Sequence, residues 1–552
     1  MQQLPAGVVC AAACASRRYR RHTLGRGDAS RRFAYFVAAI SALTPVVPRT
    51  LSLGTLQSAT GVSAPSGVIT ARVTVALFIV VTLVLLAGVG GRLASIVYLL
   101  AAIVTGLVLI FRRPATYASF ALWLWFVTPF VRRVLDLHHG WSPTNASLVA
   151  PPVVSMFGVL VLFRYGRELR GMLFAPFLLV LTALAYGYFV GIINSNLFAA
   201  TYSLLTWLAP ITLGMFLAAS WRSYPELMVS VRRAYAIALP LLAAYGVYQF
   251  LRLPIWDSTW MRNADLKSLG PPLPLLMRVF GTLNAPGPYA AFLLTGMIVL
   301  LPSKGWLRYP AIAVGALSLL LTRTRAVWIA FIIGLVVSQL SQPILRLPKR
   351  TLTMLAVVLL ALPFAATPQF KNTILPRLNT LSNLRADNSF IKRVEFSQET
   401  ATGIVESAEG NGLGTTGGAV KLIGNQGVRS LDNGFLEVFY VLGWPGGTLF
   451  FLGICILVVQ TFRFTEPRKD SLANSARATS VALLTVLPIG DVFTGPSGTF
   501  YWSMVGLGIA AHTYHVTTGR ALRMQALQAQ MLAQPTATVS AGTPALFVPV
   551  RR

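Results

Sequence analysis

Apolar blocks of roughly 16 to 20 residues recur along most of this chain, each about the length a helix needs to cross a ~30 Å hydrocarbon layer. No other feature constrains the fold as strongly. Backbone in lipid must satisfy its own N–H and C=O groups, which leaves only helices or a closed barrel, and blocks of this length select helices. The sequence therefore predicts an all-α, polytopic transmembrane helical bundle. Candidate spans fall at about 73–90, 93–111, 115–131, 148–163, 174–193, 200–220, 233–251, 286–302, 309–322, 326–341, 352–366, 432–462, 478–490 and 499–514.

Charge then sets orientation. The formal net charge of +30 would suit nucleic acid, but the Lys and Arg residues sit in short links between apolar blocks rather than in a basic domain. Topology and anionic membrane lipids account for it better, and no nucleic-acid partner is expected. The links "FRRP", "RYGRELRG", "WRSYPELMVSVRR", "SKGWLR", "QPILRLPKR" and "RFTEPRKD" alternate with less basic ones. They are expected in the cytoplasm, with both termini. The apolar stretch 33–48 reads as interfacial or re-entrant, since counting it as a span would export "SRRYRRHTLGRGDASRR". "GVVCAAACAS" has its positive charges on the wrong side for a cleaved signal. Cys10, Cys14 and Cys455 have neither disulfide nor zinc spacing.

Four regions follow: a basic tail 1–32, a membrane extension 33–114, a membrane core 115–515, and a tail 516–552 expected to be disordered beyond a short helix. The same parity places two long polar segments, 252–285 and 367–431, outside the cytoplasm. The second exceeds what a plain connection needs. It contains "FIKRVEFSQETATGIVESAEG", able to form an amphipathic helix, and the Gly-rich "GNGLGTTGG".

With only 16 acidic residues, each carboxylate can be weighed. Asp432 and Glu437 are the pair expected at the mouth of a span. A helix beginning near Asp432 would align Asn433, Glu437 and Tyr440 at i, i+4 and i+7, a polar face on an otherwise apolar helix. Such a face needs a polar cavity. The alternative makes Asp432 an ordinary helix N-cap.

The apolar run 309–341 would be close to 50 Å long as one helix at ~1.5 Å per residue, too long for one crossing. It should turn at Thr322 to Arg325, leaving two arms of about 20 Å and placing Arg323 and Arg325 below the outer surface. Phosphate oxygens match the guanidinium fork, although both side chains can instead snorkel to headgroups. Arg278 precedes "VFGTLNAPGP", whose Gly and Pro residues suit a turn exposing N–H groups to an anion. Arg393 and Arg429 add cations to the long loop, or only solvated charge. His22, His138, His139, His512 and His515 show no metal-ligand spacing. Neither metal nor cofactor is expected.

In order along the chain, "RVFGTLNAPGPYAAFLL", "LLTRTRAVWIAFIIGL", "KRVEFSQETATGIVESAEGNGLGT" and "LDNGFLEVFYVLGWPGGTLFFL" resemble four segments of the O-antigen ligase and O-antigen polymerase superfamily of bacterial polysaccharide enzymes. The resemblance covers residues 115–515. It implies a GT-C-like bundle of 12–14 spans in the bacterial inner membrane, with a long extracytoplasmic loop containing short helices. It also implies metal-independent, inverting transfer from an undecaprenyl-pyrophosphate-linked glycan donor to a glycan or lipid acceptor, beside other polysaccharide-assembly proteins. Arg278, Arg325 and Arg393 fall on the superfamily's basic positions, where they would neutralise the leaving pyrophosphate while a base takes the acceptor proton. Where ligases carry His this chain has Asp432, which favours a polymerase or exopolysaccharide homologue. A transporter or flippase of lipid-linked glycans would also need buried arginines, but it would be expected to show an internal repeat, and none is visible. A non-catalytic export partner is the third reading.

Overall fold

In the computed structural model, residues 65–164, 171, 173–264, 267–340, 398, 401–404, 407–423, 431 and 433–533 are described. They belong to one compact unit, Thr60–Arg552. The principal helices are α1 (Pro65–Leu86), α2 (Ala94–Arg112), α3 (Pro114–His139), α4 (Ala150–Met156), α5 (Gly158–Arg164), α6 (Ala175–Asn194), α7 (Leu197–Ala219), α8 (Tyr224–Arg252), α9 (Ile255–Ala264), α10 (Pro286–Leu300), α11 (Arg308–Leu321), α12 (Arg325–Leu340), α13 (Gly434–Arg463), α14 (Ser471–Leu484) and α15 (Gly495–Ala533). No strand occurs among the described residues. The chain is a multi-pass helical membrane protein.

Among the described residues, eight helical segments are long and apolar enough to cross a membrane, fewer than the fourteen expected from apolar blocks alone. Of the other expected blocks, 499–514 falls within α15, 352–366 is not described, and the rest form shorter apolar helices of 10–17 residues. The block 148–163 is divided at Phe157 into α4 and α5, of 7 residues each. α10, α11 and α12 have 15, 14 and 16 residues, about 21–24 Å at ~1.5 Å per residue. The blocks 33–48 and 352–366 lie outside the described residues. At the other extreme, α15 continues past His515 to Ala533, so the first part of the expected tail is helix. Its run "ALRMQALQAQMLA" consists of strong helix formers.

Within lipid, burying apolar area supplies little drive, since the tails are as apolar as Leu, and close packing and interhelical hydrogen bonds hold the bundle instead. An aromatic cluster joins four helices: Phe126 of α3 stands with Tyr235 of α8, Phe292 of α10 and Phe500 of α15 at centroid separations of 5.4, 4.8 and 5.9 Å. α1 and α2 dock on α3 through Phe78 against Phe120 at 5.1 Å and a 2.8 Å hydrogen bond between Tyr98 and Thr128. Both described helices of the extension thus pack directly on the core.

The polar segment 252–285 is also structured. α9 tucks Trp260 and Met261 against Leu253, Leu269, Met277 and Phe280, a small second core. Beneath it the Arg133 guanidinium, with its side chain fully buried, lies 3.0 Å from Asp257 Oδ1, a charge contact without hydrogen-bond alignment. Arg133 donates to the carbonyls of Gly281 and Leu283 at 2.7 and 2.9 Å. Asp257 Oδ2 accepts from Tyr245 and Gln249, both at 2.6 Å.

Candidate functional site

The start of α13 is set by Asn433, whose Oδ1 accepts from the N–H groups of Phe435 and Leu436 at 3.0 and 3.2 Å. The cap is therefore Asn433. This replaces the expected alignment of Asn433, Glu437 and Tyr440 on one helical face: Asn433 is extended backbone ahead of the helix, and its amide oxygen is occupied by capping. Glu437 remains on the first turn, where its side chain is 9% exposed.

Two turns further on, α13 is broken. Gly443 adopts φ 62° and Pro445 follows it. Proline has no N–H for the carbonyl of Val441, and the N–H of Trp444 turns away to the carbonyl of Ala408 at 2.9 Å. The carbonyls of Tyr440 and Val441 are thus released. They accept from the N–H groups of Asn411 and Gly412 at 2.8 and 2.9 Å, while Leu413 N–H donates to Gly187 of α6 at 2.8 Å. The Gly-rich stretch is in this way threaded between α6 and α13, with Gly410, Gly412 and Gly414 at φ 77°, 80° and 102°. Only glycine fits there: a Cβ on Gly191 would sit 2.1 Å from the Leu413 carbonyl oxygen, and one on Gly412 would sit 2.2 Å from Gly191 N.

Threading delivers Thr416 to Glu437, with which it hydrogen-bonds. Together they border a cavity of about 160 Å³, lined further by Tyr202, Ser203, Thr206 and Trp207 of α7, by Gly417 to Ala419, and by Thr494 and Gly495 at the start of α15. Asp491 stands behind Thr494, accepting from its hydroxyl and from the N–H groups of Phe493 and Thr494. Burial raises the Asp491 pKa despite those donors, and its charge reaches Glu437. Within electrostatic reach of Tyr202, Arg132 is paired to Asp136 at 3.0 Å and to the Ser142 carbonyl at 2.6 Å. The lining is hydroxyl-rich, with one indole and the Glu437 carboxyl, behind which Asp491 interacts with Glu437. A carboxylate held this way can accept a proton from a bound hydroxyl.

A second group forms where α11 meets α12. The apolar run turns at Thr322 to Thr324, with Arg323 at φ 54°. Arg278 donates from Nε to the Thr322 carbonyl at 3.1 Å and from Nη2 to Thr324 Oγ1 at 3.2 Å. Arg323 reaches back to the carbonyls of Leu276 and Leu275 at 3.1 and 3.4 Å. Arg325 is the first residue of α12. Arg278, Arg323 and Arg325 are thus brought to one turn. The anion nest expected after Arg278 is filled from within the chain, because Gln249 Oε1 accepts from the N–H groups of Phe280 and Gly281 at 3.2 and 2.9 Å.

Asp432, Arg393 and Arg429 lie outside the described residues. The described residues contain no group of three or more His, Cys, Asp or Glu side chains able to hold a metal. Reading by segment passed over Tyr202, Ser203, Thr416, Asp491 and Arg132. The one signal available for Arg132 was its place inside the apolar stretch "FVRRVLDL", where an ionisable residue is presumptively functional or paired.

The remaining charge cluster closes the opposite end of the bundle. Asp470 caps α14 through the N–H groups of Leu472 and Ala473 and accepts from Tyr224 at 2.8 Å, with His515 at 3.1 Å. His512 lies 2.9 Å from Glu466 and stacks on Phe464 at 4.1 Å. Burial opposes ionisation of Asp470, but bonds from His515, Tyr224 and the two N–H groups outweigh it and lower the pKa. No known protein family matches the sequence, and no curated protein is similar to it, so the chemistry rests on this geometry alone.

Proposed function

We propose that this protein is a glycosyltransferase of the bacterial inner membrane. It polymerises or ligates glycans carried on undecaprenyl pyrophosphate, at a site on the outer face, with both termini in the cytoplasm. The observation that carries the reading is the hydroxyl-lined cavity at the first turn of α13, with Glu437 in its wall and Thr416 bonded to it. An acceptor hydroxyl gives up its proton to a carboxylate, either Glu437 in the cavity wall or Asp432, the residue before the Asn433 cap. Its oxygen forms a bond to the anomeric carbon of the donor as that carbon's bond to the pyrophosphate oxygen breaks. The electron pair leaves with the lipid pyrophosphate, and configuration inverts.

Arg278, Arg323 and Arg325 at the α11–α12 turn are the cations this reading assigns to the leaving group, with Arg393 and Arg429 from the long loop. Guanidinium groups suit that task because the fork holds two oxygens as charge develops. Asn433 acts as a cap rather than in the chemistry. The test is turnover of a purified lipid-pyrophosphate glycan. Glu437→Gln and Asp432→Asn are each compared with the native protein, and the variant lacking the base should fall by about 10²-fold or more. Native turnover in both variants would overturn the reading.

A further inference from the structure

We infer that the Glu437 cavity is a subsite for a single acceptor sugar ring and that its carboxyl pair selects a neutral or amino sugar over a uronate. This deepens the glycosyl-transfer reading and rests on it. Three observations carry the subsite, the first being size. A cavity of about 160 Å³ corresponds to about five waters at ~30 Å³ each, the scale of one pyranose.

The second observation is lining. Hydroxyls of Tyr202, Ser203, Thr206, Thr416 and Thr494 surround the space, and Trp207 forms a wall. Sugars present hydroxyls at their rim and C–H groups on their faces, which is the complement of such a lining. Several hydroxyls are already engaged: Thr206 donates to the Ser203 carbonyl, Thr494 to Asp491, and Thr416 bonds Glu437. Ser203, 4% exposed, lines the cavity with its hydroxyl unpartnered among the described residues, and the Tyr202 hydroxyl is likewise open. Neither hydroxyl is sealed off among the buried unpartnered atoms, so both are open to a ligand hydroxyl.

The third observation is charge. Glu437 borders the cavity and Asp491 is close enough to interact with it, while Arg132, within electrostatic reach of Tyr202, is paired to Asp136. An anionic ring placed against the Glu437 carboxylate meets like charge. A pyrophosphate is disfavoured there for the same reason, which separates the acceptor subsite from the arginines at the α11–α12 turn.

The experiment is saturation-transfer NMR on the full-length protein in lipid nanodiscs at mildly alkaline pH, with methyl glucoside, glucosamine and glucuronate as probes. Methyl glucoside and glucosamine should bind at least about tenfold more tightly than glucuronate, as expected for one like-charge contact at intermediate dielectric. The isosteric double variant Glu437→Gln/Asp491→Asn should bring glucuronate to within about threefold of methyl glucoside on the same argument. Ser203→Leu, which fills the space, should remove binding of all three. The inference is overturned if glucuronate binds the native protein as well as methyl glucoside does, if no probe binds, or if the double variant leaves the ratio unchanged. Probe binding without glycosyl transfer would keep the subsite and remove the transferase reading. Transfer without probe binding would do the reverse.

Discussion

Removing either partner of the Arg133–Asp257 pair should destabilise the protein by about 3–5 kcal/mol, because each removal leaves one charge buried without its counter-ion. Both side chains have 0% exposure, so no solvent screening softens the loss. Asp257→Ala also strips the acceptor from Tyr245 and Gln249, placing it at the upper end of that range. Arg133→Met leaves the carbonyls of Gly281 and Leu283 without their donors and removes the cation over the Phe280 ring at 4.8 Å.

The double variant Arg133→Met/Asp257→Ala has no orphaned charge and should cost less than the sum of the singles, by roughly 1–3 kcal/mol of coupling. The Nε to Oδ1 approach is a charge contact without hydrogen-bond alignment, which keeps the coupling below that of a bidentate pair. The assay is an equilibrium unfolding titration in mixed micelles for all four proteins. Strict additivity would refute the reasoning. It would mean that Gln249 and the backbone carbonyls, not the ion pair, hold the 280–283 stretch against α3.

Gly191→Ala should destabilise the protein by about 1–3 kcal/mol and loosen the Gly-rich stretch, since the new methyl meets the Leu413 backbone; proteolysis between Gly410 and Gly418 measures it, and native resistance would show that α6 shifts to make room. Asn433→Ala should cost about 1 kcal/mol through loss of the α13 cap, read by the same unfolding titration, whereas Asn433→Asp should cost far less. Because hydrogen bonds lower the Asp470 pKa, its contribution is complete above the ordinary aspartate range near 3.9. It disappears as pH falls through the folded value. The native protein should thus lose more stability than Asp470→Asn on acidification below about pH 4, and parallel pH profiles would contradict this. Arg325→Ala should abolish donor use and Arg325→Lys should weaken it, because Lys keeps the charge but loses the fork; binding of a lipid-pyrophosphate glycan to purified variants decides it.

The local pattern of the chain was enough to determine that it is helical and membrane-embedded, because lipid forces each segment to satisfy its own backbone and to be apolar for a set length. It also placed the break between α11 and α12 at the "TRTR" turn, since a run that long cannot remain one helix inside a bilayer. Hydropathy records how apolar a block is and does not register where its helix ends, so the lengths of α10, α11 and α12, 15, 14 and 16 residues, were not legible in it. The choice of helix cap was equally hidden. Aspartate and asparagine are near-equal caps, and only the fold selected Asn433.

The cavity was a matter of tertiary structure altogether. Its walls come from α7, the Gly-rich stretch and the starts of α13 and α15, and they meet because Gly443 and Pro445 open the α13 backbone to let the Gly-rich stretch dock. No periodicity within one segment encodes contacts between segments so far apart in the chain. Glu437 could be singled out from its position at a helix mouth, but its partners Thr416 and Asp491 could not, because what makes them partners is the shape into which the helices pack.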